Sequence, residues 1–173
     1  MSIITREMLA SYLEDALGEA ETASIEQALR GSEPLRQQLR QMMQDKDRGE
    51  DGSALPDKVL RDYAAALSKA GRYDEALATL DLLRDPNTAE ALNYRGYATR
   101  KLGRLDEGIG YYQRSVALDP RYALVREYLG EAYVIKGDMA SAEAQLRVIK
   151  GICGTDCAQY KHLADAIADP SKI

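Results

Sequence analysis

The chain has 173 residues, of which 45% are hydrophobic and 29% charged, an ordinary globular composition for one or two compact domains. Its net charge of -5 and pI near 5.0 argue against nucleic acid and anionic membranes as partners, because both attract clustered Lys and Arg. The N-terminal residues are too charged for a secretory signal, and no apolar stretch approaches a membrane span. We therefore expect a cytoplasmic protein, or a periplasmic one if an export signal is missing from the sequence.

Residues 1–46 are predicted to form three short helices. Their apolar residues recur at helical spacing in three stripes, and Gly18 and Gly31 separate the stripes. Ser32 and Pro34 suit the start of the third helix, as an N-cap and an early helical proline. The sequence therefore predicts a small three-helix module at the N-terminus.

The N-terminal segment LASYLEDALGEAETASIEQALRGSEPLRQQL resembles the N-terminal domain of zinc-binding anti-sigma factors. In that family one His and two Cys bind the zinc ion. This chain has Ala28, Ser32 and Leu35 at the three ligand positions, and none of these side chains can bind zinc in that way. The resemblance implies a zinc-free, anti-sigma-like module that binds a sigma factor and regulates transcription.

Residues 47–56 are polar, contain Gly and Pro, and lack apolar periodicity. Such a segment is typical of a linker. Gly52 and Ser53 suit a natural linker and an artificial junction equally. We thus predict an N-terminal module over 1–46, a linker over 47–56 and a second domain over 57–168.

The second domain contains an internal repeat. The segments AGRYDEALATL, LGRLDEGIGYY and KGDMASAEAQL align so that Gly71, Gly103 and Gly137 share one column, spaced by 32 and 34 residues. Pro86 and Pro120 recur 34 residues apart. A Gly in this position ends one helix in a left-handed residue, and the Pro ends the next. Each unit is therefore predicted to be a helix, a turn and a helix.

Residues 89–122, AEALNYRGYATRKLGRLDEGIGYYQRSVALDPRY, resemble a tetratricopeptide repeat. They match the family in a small residue at Gly96, a turn at Gly103, an aromatic at Tyr112 and the proline Pro120. Three positions depart mildly from the family pattern: Leu92, Gly108 and Ser115. The resemblance implies an all-α solenoid of three repeats over 57–150, closed by a cap helix over 155–168.

In this family the first helix of each repeat lines a concave groove that holds a partner peptide. The matching positions in this chain are Arg61 in the first repeat, Asn93, Tyr97, Arg100 and Lys101 in the second, and Glu127 and Glu131 in the third. The resemblance implies a bacterial adaptor or scaffold that binds a protein segment; the alternative is that these side chains form an ordinary solvated face. A groove basic at one end and acidic at the other favours a partner of mixed charge. We expect Tyr97 and Arg100 to be the main anchors.

Cys153 and Cys157 lie between the last repeat helix and the predicted cap helix. Two thiols across one tight turn could form a disulfide, and free cysteines that serve as small core residues are an equal alternative. The ending Cys-x3-Cys-x2-Tyr-x2-Leu is similar to that of short exported proteobacterial repeat proteins, which implies an oxidising compartment. A thiol oxidoreductase is disfavoured, because its usual dithiol motif has two intervening residues.

The sequence offers little for catalysis. The lone His162 lacks the neighbours and spacing of a metal site. The acidic pairs Asp74/Glu75 and Asp106/Glu107 fall at the start of a predicted helix, where carboxylates interact favourably with the positive helix end. We therefore predict a protein that is not an enzyme and uses no cofactor and no metal.

Overall fold

A computed structural model describes residues 4–47 and 55–173, excluding the side chains of residues 45–47. Over these residues the chain forms ten α-helices and one terminal 3-10 helix, with no strand. The helices are α1 Arg6–Leu13, α2 Glu19–Gly31, α3 Glu33–Asp47, α4 Asp57–Lys69, α5 Tyr73–Leu80, α6 Ala89–Lys101, α7 Leu105–Leu118, α8 Ala123–Lys136, α9 Met139–Cys153 and α10 Ala158–Ala168, followed by the 3-10 helix Pro170–Lys172. None of these helices is both long and apolar enough to cross a bilayer.

This architecture confirms the predicted fold class: three N-terminal helices, six repeat helices and one cap helix. The predicted linker falls mainly on residues 48–54, outside the described residues. The chain divides into two compact units, residues 1–85 and residues 86–173. The first unit therefore contains the N-terminal helices together with the first repeat, and the second contains repeats two and three with α10. The independence of residues 57–168 from the N-terminal helices stays a prediction.

In the first unit, the N-terminal helices begin at defined caps and pack on the first repeat. Thr5 Oγ1 accepts a hydrogen bond from Met8 N at 3.2 Å, and Ser32 Oγ accepts one from Leu35 N at 3.3 Å. Helix α2 packs against α4. The core of this unit includes these buried apolar side chains: Leu9, Tyr12, Leu13, Ile25, Leu29, Leu39, Val59, Leu60, Tyr63 and Leu67.

A charged cluster joins α3 to the turn between α4 and α5. Glu33 lies 2.8 Å from Arg36 Nη2 and 2.9 Å from Arg40 Nη2, and it also pairs with Arg72. Glu75 pairs with both Arg40 and Arg72. Hydrogen bonds from Arg40 and Arg36 lower the pKa of Glu33 to about 2. The cluster therefore adds charge-assisted hydrogen bonds to the apolar packing between the N-terminal helices and the first repeat.

In the second unit, glycines allow the helices to approach closely. A Cβ atom on Gly96 would lie 2.6 Å from the Tyr112 ring, and one on Gly108 would lie 3.0 Å from the Gly96 carbonyl oxygen. Gly103 and Gly137, at the turns within the repeats, both have a φ of 83°, the left-handed conformation that favours glycine. The core of this unit includes Ile109, Tyr112, Val125, Leu129 and Ala132. These turns and close contacts fix the spacing between α6, α7 and α8.

Candidate functional site

Six of the seven predicted groove residues lie in the second unit. They are Asn93, Tyr97, Arg100 and Lys101 on α6, and Glu127 and Glu131 on α8, and together they define what we name the α6–α8 surface. The seventh, Arg61, is a half-buried residue of α4 in the first unit. Within α6, Asn93, Tyr97 and Arg100 share one face because they are four and three residues apart. The partner-binding role of all seven residues stays a prediction.

Arg100 and Glu131 form an ion pair inside the α6–α8 surface. Arg100 Nη2 lies 3.0 Å from Glu131 Oε2, and their side chains are only 4% and 16% exposed. The guanidinium carbon is also 5.7 Å from the centre of the Tyr97 ring. Arg100 is thus directed at neighbouring side chains of its own chain rather than at solvent. Its charge is compensated by Glu131, and its position supports one side of Tyr97.

Tyr97 stands in a row of tyrosines. Its half-buried ring lies 5.4 Å from the ring of Tyr128, and Tyr128 lies 6.2 Å from the ring of Tyr112. Both pairs are tilted, at 46° and 44°, an arrangement that aromatic side chains favour. Burial raises the pKa of Tyr128 to about 12, so this phenol is neutral at physiological pH. The packing of Tyr97 on Tyr128, and of Tyr128 on Tyr112, therefore restricts the position of the Tyr97 ring.

Lys101 is the exposed cation of the α6–α8 surface. Its Nζ lies 5.8 Å from the centre of the Tyr97 ring, on the same aromatic side chain that Arg100 contacts. Among the described residues no carboxylate forms an ion pair with Lys101. A cation near an aromatic ring is stabilised by the ring's negative face. The Tyr97 ring therefore stabilises the ammonium group, while the Lys101 side chain stays exposed.

Glu127 is buried, at 4% exposure. Its Oε1 lies 3.0 Å from Nδ1 of His162 on α10, while its Oε2 has no hydrogen-bond partner among the described residues. Burial raises the pKa of Glu127, and the hydrogen bond from His162 partly offsets this effect. His162, whose side chain is 63% exposed, is therefore the partner of a buried carboxylate and not an isolated surface residue. Glu127 and Glu131 lie inside the surface and not at its rim.

Asn93 is fully buried at the start of the same helix face. Its Nδ2 donates to the Tyr122 hydroxyl at 3.5 Å. Burial raises the pKa of Tyr122 to about 12. Asn93 is thus placed to connect α6 with the residue that precedes α8. Its side chain is not exposed to a partner in the structure.

Cys153 and Cys157 are joined by a disulfide in the structure, with their Cα atoms 5.9 Å apart. Cys153 is the last residue of α9, and Cys157 is the N-cap of α10. The bridge therefore closes the turn that leads into the cap helix. No group of three or more potential metal ligands occurs among the described residues.

The successive helix pairs, each joined by a tight glycine turn, define a helical-repeat protein. A family model described as tetratricopeptide repeat matches residues 61–123 and 100–156. The two matches together span more than half of the 173 residues. The chain belongs to the tetratricopeptide repeat family. A comparison with curated protein sequences found no match to this chain.

Solved structures show the same fold. A crystal structure of MamA has a TM-score of 0.64 and 16% identity, covering 90% of this chain and 86% of that one. A crystal structure of the MamA protein has a TM-score of 0.61 and 18% identity, covering 97% of this chain and 85% of that one. The structure of MamA MSR-1 C2 has a TM-score of 0.60 and 16% identity, covering 84% of this chain and 92% of that one. At such low identity the similarity is one of fold alone.

The comparisons do not support the resemblance of residues 1–46 to an anti-sigma domain. The family match begins at residue 61. A structural match that covers 97% of this chain includes the N-terminal helices as well, and it is to MamA. The N-terminal helices therefore belong to the part of the chain that shares its fold with a repeat protein.

Proposed function

We propose that this protein is an interaction adaptor that binds a segment of another protein on the α6–α8 surface. The proposal rests on one observation: Tyr97 is a partly exposed aromatic side chain, supported by Tyr128 and Arg100, with the exposed Lys101 beside it. Aromatic side chains on a rigid support are frequent anchors of protein interfaces. Repeat proteins of this kind commonly act by binding, and we expect no catalytic activity.

Pre-organisation of the α6–α8 surface supports the proposal. The ion pair between Arg100 and Glu131 and the packing of Tyr97 on Tyr128 fix the side chains before a partner arrives. Because these groups are already ordered, binding loses less conformational entropy than it would on a flexible surface. In this arrangement Tyr97 and Lys101 contact the partner, and Arg100 holds the Tyr97 ring in position without contacting the partner itself.

The test uses a photo-crosslinking amino acid at one site at a time. Position 97 is replaced in the full chain by benzoylphenylalanine, and position 111 serves as the matched control. Tyr111 is also a half-buried tyrosine of the second repeat, but it lies on the second helix, α7, with Arg114 beside its ring. After irradiation in host cells, the proposal expects a crosslinked protein from position 97 that position 111 does not give.

Two outcomes would contradict the proposal. Identical crosslinked proteins from positions 97 and 111 would show that capture depends on collision rather than on the α6–α8 surface. Crosslinking from position 111 alone would place the partner on the second-helix side of the repeat. If position 97 captures a specific partner, Tyr97→Ala should weaken the affinity of the protein for that partner by roughly thirtyfold, as expected for the loss of an aromatic anchor.

A further inference from the structure

The charges of the α6–α8 surface are not equally accessible. Arg100 and Glu131 compensate each other, and both side chains are largely buried. Glu127 is buried beneath His162. Lys101 is exposed, and no described carboxylate compensates it. Of these four charged residues, Lys101 is therefore the one that an approaching partner meets, although the sequence alone shows as many acidic as basic positions on α6 and α8 of this surface.

We infer that the partner segment is acidic and carries an apolar or aromatic side chain next to its carboxylates. This inference rests on the proposed function and specifies its ligand. A carboxylate that pairs with Lys101 Nζ lies close to the Tyr97 ring, because the ammonium is 5.8 Å from the centre of that ring. A neighbouring side chain of the partner can then pack on the exposed part of the Tyr97 side chain. The geometry thus pairs one charge contact with one apolar contact.

A basic segment fits this surface less well. Its cations would approach Lys101 without compensation, and like charges in an interface are strongly unfavourable. Glu131 offers little in return, because its side chain is 16% exposed and is already bound to Arg100. Breaking that ion pair would leave Arg100 with a buried, uncompensated charge. The sequence alone favours a partner of mixed charge, whereas the inference drawn from the structure favours an acidic one.

The experiment uses the full chain and synthetic peptides. The protein contains no Trp, so the fluorescence of a single Trp in a peptide reports binding when it is excited at wavelengths that Tyr does not absorb. Two peptides of equal length carry one central Trp, flanked by Glu residues in one and by Lys residues in the other. The whole protein has a net charge of -5, which attracts the Lys peptide at long range. A preference for the Glu peptide must therefore come from a local site.

We expect the Glu peptide to bind roughly fivefold or more tightly than the Lys peptide at low ionic strength. The difference should narrow as salt is added, because salt screens an exposed charge contact. Lys101→Glu should remove the preference or reverse it. The matched control is Lys150→Glu, an exposed lysine near the end of α9 that undergoes the same change of charge. It should keep the preference of the parent.

Thermal melting of both variants tests whether they keep the fold. We expect that they do, because both substituted side chains are exposed. Tighter binding of the Lys peptide to the parent protein would overturn the inference, and so would an equal response of the two variants. The absence of any change in Trp fluorescence with either peptide would overturn it as well. The proposed function is decided separately, since crosslinking at position 97 in host cells does not depend on the charge of any chosen peptide.

Discussion

Arg100 on α6 and Glu131 on α8 form an ion pair 3.0 Å long whose two side chains are 4% and 16% exposed. The pair connects the first helices of two successive repeats across 31 residues of sequence. Because both charges are removed from bulk water, each depends on the other for compensation. Arg100 therefore contributes to the structure of the α6–α8 surface, and its substitution affects more than the binding of a partner.

The first prediction concerns the stability of this ion pair. Arg100→Met should lower the free energy of unfolding by about 3 kcal/mol, because Glu131 is left without its partner. The double variant with Glu131→Met should be less destabilised than the sum of the two single variants. Arg104→Met provides the control, since Arg104 is about half exposed and pairs with Glu107 at 3.5 Å. Urea unfolding of the parent and the four variants measures these differences, and additive effects of Arg100→Met and Glu131→Met would contradict the prediction.

The second prediction concerns the contact between α8 and the cap helix. A Cβ atom on Gly130 would lie 2.5 Å from Leu163, which is fully buried and cannot move into solvent. Gly130→Ala should therefore destabilise the protein by about 1–3 kcal/mol. Gly110→Ala is the matched control, because Gly110 lies inside α7 with no atom within 4 Å of the added Cβ. It should stabilise the protein by up to about 1 kcal/mol.

Hydrogen exchange locates the effect of the Gly130 substitution. Faster exchange in α10 of the Gly130→Ala protein, with unchanged exchange in the Gly110→Ala protein, is the expected result. Equal melting temperatures for the two variants would show that α10 adjusts without loss of packing.

The repeat fold could be predicted because its signals are local. The three turn glycines Gly71, Gly103 and Gly137 have φ values between 76° and 83°, a conformation that a glycine in a helix-ending pattern already indicates. The same holds for the helices themselves, whose apolar spacing is visible in one sequence. The small residues at Gly96 and Gly130 likewise correspond to close contacts in the structure.

The electrostatics of the candidate surface could not be predicted in the same way. Position in a repeat predicts the groove side for Arg100 and Glu127, but it does not tell whether a side chain folds back onto its neighbours. The hydrogen bond of Glu127 to His162 joins residues 35 apart, on helices from different parts of the repeat pattern. It depends on how α10 packs on α8, for which the sequence carried no residue-level signal. The ion pairs of Glu33 with Arg72 and of Arg40 with Glu75 are similar cases.

The third prediction concerns acid stability. Hydrogen bonds from Arg40 and Arg36 lower the pKa of Glu33 to about 2 in the folded protein, whereas an unfolded Glu titrates near 4.3. A carboxyl whose pKa is lowered by folding stabilises the protein at pH values above its pKa in the unfolded chain. This contribution is lost as the pH falls from about 4.3 to about 2. Glu33→Gln should therefore flatten the decline of melting temperature in this range. Glu107→Gln, at the exposed start of α7, should leave the decline unchanged.

The fourth prediction concerns Glu127, whose pKa is shifted in the opposite direction. Burial raises its pKa in the folded protein, so the fold favours the protonated carboxyl. The contribution of Glu127 to stability is therefore favourable at pH values below the pKa of an unfolded Glu. It is lost as the pH rises through the pKa of Glu127 in the folded protein. Glu127→Gln should accordingly melt at the same temperature as the parent protein or higher at neutral pH. A melting temperature well below that of the parent would show that the hydrogen bond to His162 outweighs burial of the charge.

The last prediction concerns the disulfide between Cys153 and Cys157. The bond closes a loop with a sequence separation of 4, and the loss of loop entropy in the unfolded chain predicts a stabilisation of about 2 kcal/mol. In protein purified under oxidising conditions, mass spectrometry should show the loss of two hydrogens from the peptide that contains both cysteines. A dithiol reductant should then lower the melting temperature of the parent. The variant with Cys153→Ser and Cys157→Ser should melt like the reduced parent and should not respond to the reductant. Free thiols in the oxidised protein, or an equal effect of reductant on the double variant, would show that these cysteines act as free small side chains.

An insulin-reduction assay on the same samples should give no rate above background. The bridge joins two structural helix ends, and the chain lacks the usual dithiol motif with two intervening residues.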